Sequence, residues 1–188
     1  VTAEKDPAAL PWKRLDIDVV IESTGRFVKG EDAALHIKAG AKKVVISAPA
    51  KGDDTSVATH VISVNDKQLN IEKVDVFSNA SCTTNSITPV AAIIEREFGI
   101  QKAMMTTIHS YTASQALQDA PSKDLREARN AAENIVPTST GATIAAAKAL
   151  PALEGVFQGL AIRVPAPAVP AADFTFLTKK DTTIEGVN

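Results

Sequence analysis

The chain has 188 residues, 45% of them apolar, enough for one domain or two small ones with a buried core. Its 20 basic and 22 acidic side chains leave a net charge of −2, which excludes an electrostatic appetite for nucleic acid or an anionic membrane. No apolar run approaches the roughly 20 residues of a membrane helix, and the single cysteine excludes an intrachain disulfide and fits a reducing compartment, most simply the cytoplasm.

In chain order, the opening Val-Thr-Ala-Glu-Lys-Asp-Pro has neither the basic end nor the apolar middle of a signal peptide. Asp16-Ile-Asp-Val-Val-Ile-Glu22 has the β-branched density of a buried strand. After the turn Ser23-Thr-Gly-Arg-Phe27, residues 30–39 carry Ala33, Ala34 and Ile37 at helical spacing and stop at Gly40. Lys43-Val-Val-Ile-Ser47 is a second strand, which completes a βαβ unit with a parallel sheet. His60-Val-Ile-Ser-Val64 and Val74-Asp-Val-Phe-Ser78 are expected as further strands.

Past Cys82 the texture changes. Ala91, Ile94, Glu95 and Phe98 mark a helix ending at Gly99, with Pro89 expected to kink or restart it. A strand over 103–109 and a helix over 141–149 flank a long polar segment, 112–134. Residues 159–164 and 173–177 read as strands in an antiparallel arrangement, and the last eight residues read as the opening of a helix. The fold class is therefore an α/β part followed by an α+β part with a mixed or antiparallel sheet, divided near residue 82. Both ends are expected to lie inside a longer chain.

Three clusters carry chemistry. Cys82 stands in Ser78-Asn-Ala-Ser-Cys-Thr-Thr-Asn-Ser86, a run of hydroxyls and amides before a helix, where unpaired backbone N–H groups favour a thiolate. An inert buried cysteine would have apolar neighbours instead. His109 ends the apolar stretch Met104-Met-Thr-Thr-Ile and can serve as a base for that thiol, although a structural histidine meets the same pattern. Pro137-Thr-Ser-Thr-Gly-Ala142 offers hydroxyls and a glycine at a helix start, and Arg163 interrupts an apolar strand, so both point to an anion. A plain helix cap and a surface arginine would look the same. No Gly-x-Gly-x-x-Gly is present, so no dinucleotide pyrophosphate cradle is visible, and no metal site is expected.

Taken in order, "SNASCTTN", "MTTIHSYTASQ", "NIVPTSTGA" and "GLAIRVP" resemble the glyceraldehyde-3-phosphate dehydrogenase family, and "DPAALPW", "VVIESTGRF" and "KVVISAPAKG" resemble the second half of its NAD-binding domain. The resemblance covers essentially the whole chain. It implies that residues 1–81 end an NAD-binding domain and that 82–188 begin a catalytic domain, with 112–134 as its S-shaped loop. The Gly-rich unit would precede Val1, and further strands and a helix would follow Asn188. By resemblance Cys82 is the nucleophile and His109 its base. Ser81, Thr83, Thr140, Gly141 and Arg163 would hold inorganic phosphate, and Thr112 and Arg163 the substrate's own phosphate. Thr24, Gly25, Phe27 and Ser47 would line the nicotinamide side of NAD, with Ala120-Pro121 leaning towards NAD over NADP. The implied partners are D-glyceraldehyde 3-phosphate, phosphate and three further copies in a homotetramer, with no membrane and no dedicated nucleic-acid site.

The implied reaction runs through a cysteine thiohemiacetal and a thioester to 1,3-bisphosphoglycerate. Ser86, Glu127, Ala166, Ala168 and Pro170 depart from the family pattern; Glu127 stands where some relatives have an arginine near the substrate phosphate. The alternatives are an erythrose-4-phosphate dehydrogenase, a cofactor-free thiol hydrolase, and a non-catalytic binding subunit.

Overall fold

The computed structural model describes residues 1–52, 56–168 and 170–188. The chain divides into two compact units, Val1–Pro89 and Val90–Asn188.

The first unit is built on four short parallel strands: β1 (Val19–Glu22), β2 (Lys43–Ile46), β3 (Val57–Thr59) and β4 (Val76–Ser78), ordered β1-β2-β4-β3. Helix α1 (Gly30–Lys38) connects β1 to β2, as the alternation of apolar and polar segments requires. Val20, Val44, Ile46 and Val76 point to one face of this sheet and close a core with Val28, Ala33 and Ala41. A 3-10 turn at Pro7–Ala9, capped by the Asp6 carboxylate, leads to Trp12, which packs against the same core.

The first strand begins at Val19 rather than Asp16, since Asp16 sits at φ 50 and cannot extend a ladder. The expected strand 60–64 is instead a turn that follows β3. There the Asn65 side chain accepts from the Val61 N–H (2.9 Å) and donates to the Thr59 carbonyl (2.9 Å), while Ser63 takes φ 66. A local side chain has captured the backbone groups that a sheet would use.

Helix α2 (Cys82–Phe98) starts in the first unit and ends in the second. It runs through Pro89 as one helical segment, so of the two expected alternatives, a kink or a restart, the restart does not occur. Thr88 donates to the Thr84 carbonyl (2.6 Å) in the turn where the proline removes a backbone donor.

The second unit holds a mixed sheet, β5 (Ile100–Ser110), β6 (Val136–Thr138), β7 (Phe157–Val164) and β8 (Pro170–Thr178), ordered β6-β7-β5-β8. β5 and β7 are parallel, and β8 and β6 run antiparallel to their neighbours. The strands over 159–164 and 173–177 thus run in opposite directions, as expected, but β5 lies between them and they never pair. β6 was not evident from the sequence: three residues with a central proline tolerate strand pairing only at an edge, which is where β6 sits. Helix α3 (Ala142–Ala149) packs its alanines on the sheet beside Gly159, where a Cβ would lie 2.8 Å from Met105 Cε and 2.9 Å from Thr143 Cγ2. A short helix α4 (Ile184–Val187) ends the chain, capped by Thr183.

Candidate functional site

In the first unit the predicted cofactor and phosphate residues gather at one end of the parallel sheet. β1 ends at Glu22 and leads into Thr24, Gly25 and Phe27; β2 ends at Ile46 and leads into Ser47; β4 ends at Ser78 and leads into Ser81, Cys82 and Thr83. The carboxyl ends of parallel strands are where open α/β sheets bind ligands. Backbone bonds lock these ends together: Ser47 N–H donates to the Glu22 carbonyl (3.0 Å) and Asn79 N–H to the Ile46 carbonyl (2.9 Å). Thr24, Gly25 and Ser47 are exposed and Phe27 is half-buried. Gly25 takes φ +71, which its lack of a Cβ permits, and the space a Cβ would fill is open to 4 Å.

The link from β4 to α2 is tight. Ala80 adopts φ 54, a left-handed conformation that costs a non-glycine residue about 1 kcal/mol. Ser81 caps the helix: its Oγ accepts from the Thr84 N–H (3.0 Å), and its carbonyl accepts from the Asn85 N–H (2.9 Å) and side chain (2.9 Å). Cys82 is the first helical residue and is exposed, so the partial positive charge of the helix start lies beside its sulfur. Thr83 is buried behind it.

In the second unit His109 and Arg163 are direct partners in the parallel register of β5 and β7. Alternation along β5 buries Ala103, Met105, Thr107 and His109 on one face, and Arg163 shares that face from near the end of β7 rather than its centre. His109 Nδ1 lies 2.8 Å from the Ser110 carbonyl oxygen and 2.7 Å from Arg163 Nη1, which is 3.1 Å from the same carbonyl. A carbonyl only accepts and a guanidinium only donates, so Nδ1 satisfies one of them at a time. When Nδ1 donates to Ser110, the lone pair of the ring is on Nε2, the form a general base needs.

Arg163 Nε is buried without a hydrogen-bond partner, an orphan donor that an anion would satisfy. Val136 sits opposite Arg163, and β6 runs from it into Thr140 and Gly141, the residues that open α3. Thr140 Oγ1 accepts from the Ala142 N–H (3.2 Å), and no side chain caps the helix at Gly141. Thr112 follows β5 within the 112–134 segment, its hydroxyl 3.1 Å from that of Ser114. Glu127 accepts from Thr138 Oγ1 (2.6 Å).

Sequence reasoning missed one buried group entirely. Glu22 and His36 are 3% and 4% exposed and lie 3.0 Å apart, with Trp12 bonded to the other ring nitrogen (3.0 Å). The available signal was spacing: His36 falls three residues after Ala33, on the inward face of α1. Among the described residues no cluster of acidic, histidine or cysteine side chains could hold a metal, and no helix is long and apolar enough to cross a membrane.

The chain thus joins an α/β unit, whose parallel sheet presents an exposed thiol at a helix start, to an α+β unit, whose mixed sheet carries an imidazole–guanidinium pair. The chain belongs to the glyceraldehyde 3-phosphate dehydrogenase family: residues 81–188 match the family model described as "Glyceraldehyde 3-phosphate dehydrogenase, C-terminal domain". It is similar to glyceraldehyde-3-phosphate dehydrogenase of Geobacillus stearothermophilus, at 51% identity over all of this chain and 55% of that protein. It is likewise similar to the chloroplastic glyceraldehyde-3-phosphate dehydrogenase B of Pisum sativum (53%, all of this chain, 42% of that protein) and to glyceraldehyde-3-phosphate dehydrogenase 2 of Staphylococcus aureus (50%, all of this chain, 54% of that protein). The chain spans about half the length of these curated relatives.

Proposed function

We propose that this chain carries the catalytic cysteine and base of an NAD-dependent, phosphorylating glyceraldehyde-3-phosphate dehydrogenase that works in the cytoplasm as a homotetramer. The observation that supports it most directly is the His109–Arg163 pair, a base next to a guanidinium whose buried Nε lacks a hydrogen-bond partner, on a chain of this family. Residues 1–81 then form the end of the NAD-binding domain and 82–188 the start of the catalytic domain, with 112–134 as the S-shaped loop.

The open space at Gly25 and the exposed Thr24 fit a flat ring laid against the turn, with Phe27 and Ser47 beside it, so these residues would hold the nicotinamide. Bound there, the cofactor supplies a hydride acceptor. His109 takes the Cys82 thiol proton, the thiolate attacks the aldehyde carbon to form a C–S bond as the C=O π bond opens, and the oxygen takes that proton back from His109, giving a thiohemiacetal. His109 takes its hydroxyl proton as the C–H hydride departs, leaving a thioester on Cys82. Inorganic phosphate, held by Ser81, Thr83, Thr140, Gly141 and Arg163, attacks the thioester carbon, and the C–S bond breaks to return the thiolate and release 1,3-bisphosphoglycerate. Thr112 and Arg163 bind the phosphate already on the substrate, which fixes the aldehyde towards the sulfur.

The test is steady-state NADH production by the full-length protein with glyceraldehyde 3-phosphate, with and without inorganic phosphate. Phosphate-dependent turnover that vanishes in Cys82→Ser is expected. Faster turnover of erythrose 4-phosphate, or turnover without a nicotinamide cofactor, would overturn the assignment.

A further inference from the structure

The Trp12–His36–Glu22 group, a half-buried indole with a buried imidazole and carboxylate, has no part in the chemistry above, yet it ends at the turn assigned to the cofactor. The indole Nε1–H of Trp12 lies 3.0 Å from His36 Nδ1. Indole nitrogen can only donate, so Nδ1 must hold a lone pair and the ring proton must sit on Nε2. That proton faces Glu22 Oε2 at 3.0 Å. The other carboxylate oxygen, Oε1, accepts from the Thr24 backbone N–H (2.7 Å) and from the Thr24 hydroxyl. Every hydrogen bond in the series thus has a fixed direction, from Trp12 through His36 to the carboxylate and from Thr24 back to it. Thr24 Oγ1 in turn accepts from the Arg26 N–H (3.1 Å), and the Glu22 carbonyl accepts from Ser47 N–H (3.0 Å). Phe27 stands edge-on to the imidazole, with centroids 6.3 Å apart.

Stability alone does not account for this arrangement. Taking a carboxylate out of water is costly, and well-packed apolar side chains of similar volume fill such sites at least as favourably. What apolar residues could not do is accept two hydrogen bonds from Thr24. The buried groups are internal, whereas the residue they hold is exposed.

We propose that Trp12, His36 and Glu22 are positioning residues for the Ser23-Thr24-Gly25 turn, a directional hydrogen-bond relay that sets the turn's geometry for cofactor binding. The proposal rests on the assignment of Thr24 and Gly25 to the nicotinamide side of NAD.

Two measurements on the full-length protein test it. Isotope-labelled histidine NMR, with His36 identified by the loss of its signals in His36→Gln, is expected to find the neutral form with its proton on Nε2; a proton on Nδ1 overturns the relay whatever the cofactor does. Steady-state kinetics are then compared for four variants. His36→Leu removes both ring contacts and is expected to raise the KM for NAD about tenfold while kcat stays within about threefold, the size of one lost charged hydrogen bond. His36→Gln keeps one acceptor and one donor at the end of the side chain and is expected to recover most of that loss. Trp12→Phe, which keeps the ring and removes only the donor, gives a smaller rise and serves if His36→Leu does not fold. Thr24→Ala separates the two ideas. If Thr24→Ala raises the KM and neither His36→Leu nor Trp12→Phe does, the relay is wrong and the cofactor assignment stands. If Thr24→Ala leaves the KM unchanged, the cofactor assignment falls and the proposal falls with it.

Discussion

Two histidines of this chain are buried, and their partners differ in kind. His36, in the first unit, sits between an indole N–H and a carboxylate, one of which only donates and the other only accepts. Its proton has a single place. His109, in the second unit, offers one nitrogen to both a carbonyl and a guanidinium, which make opposite demands on it. Its proton can sit in either of two places, and Arg163 can follow by turning to the Ser110 carbonyl. The same side chain is thus a fixed strut in one setting and, in the role proposed for His109, a proton carrier in the other; the choice is made by whether its neighbours agree.

Breaking the carrier has the largest expected effect. His109→Asn in the full-length enzyme should lower kcat by about a hundred- to ten-thousandfold, the range for loss of a general base, with the KM for NAD little changed. An unchanged kcat would show that His109 is structural. Breaking the strut should act on stability: His36→Leu leaves Glu22 Oε2 buried without its donor, which costs about 1.5–3 kcal/mol in denaturant unfolding, the size of one hydrogen bond to a charged group. Trp12→Phe removes one neutral donor and should cost only about 0.5–1.5 kcal/mol in the same assay.

A pH titration sharpens the contrast. Burial pushes the Glu22 carboxyl up, but hydrogen bonds from the Thr24 hydroxyl, His36 and the Thr24 backbone outweigh it and leave the group below the usual glutamate value. A carboxyl lowered in the folded state stabilises above its unfolded value, and that stability is lost as pH falls through the folded value. The wild-type protein should therefore lose stability on acidification below the ordinary glutamate range, and Glu22→Gln should flatten that part of the profile, read as unfolding midpoints against pH. The smallest effect belongs to Asp124. The Arg126 guanidinium holds its carboxyl at about 2, yet the pair faces water and Asp124→Asn should leave the thermal midpoint unchanged.

Much of this was legible beforehand. The βαβ unit, the helix opening at Cys82 and the strand carrying His109 follow from short-range periodicity, and the order of the motifs carried the family. The strand expected at 60–64 failed because apolar content says nothing of Asn65, whose side chain takes the backbone groups of residues 59 and 61. β6 hid behind its proline, since whether a strand lies at a sheet edge is decided by the fold. The His109–Arg163 contact joins residues 54 positions apart and depends on β5 and β7 being parallel neighbours, which no local pattern records. Likewise Glu22 and His36 are 14 residues apart on different elements, and each alone looks like an ordinary polar residue at the end of a strand or on a helix.

Ala80 carries a further consequence. Its left-handed backbone, one step before the residue that caps the cysteine's helix, is a conformation in which glycine would rest more easily. Replacing it with glycine relieves the steric penalty but also frees the joint that aims the sulfur. With Cys82 as the proposed nucleophile, selection for heat tolerance and selection for turnover would therefore pull this one position in opposite directions.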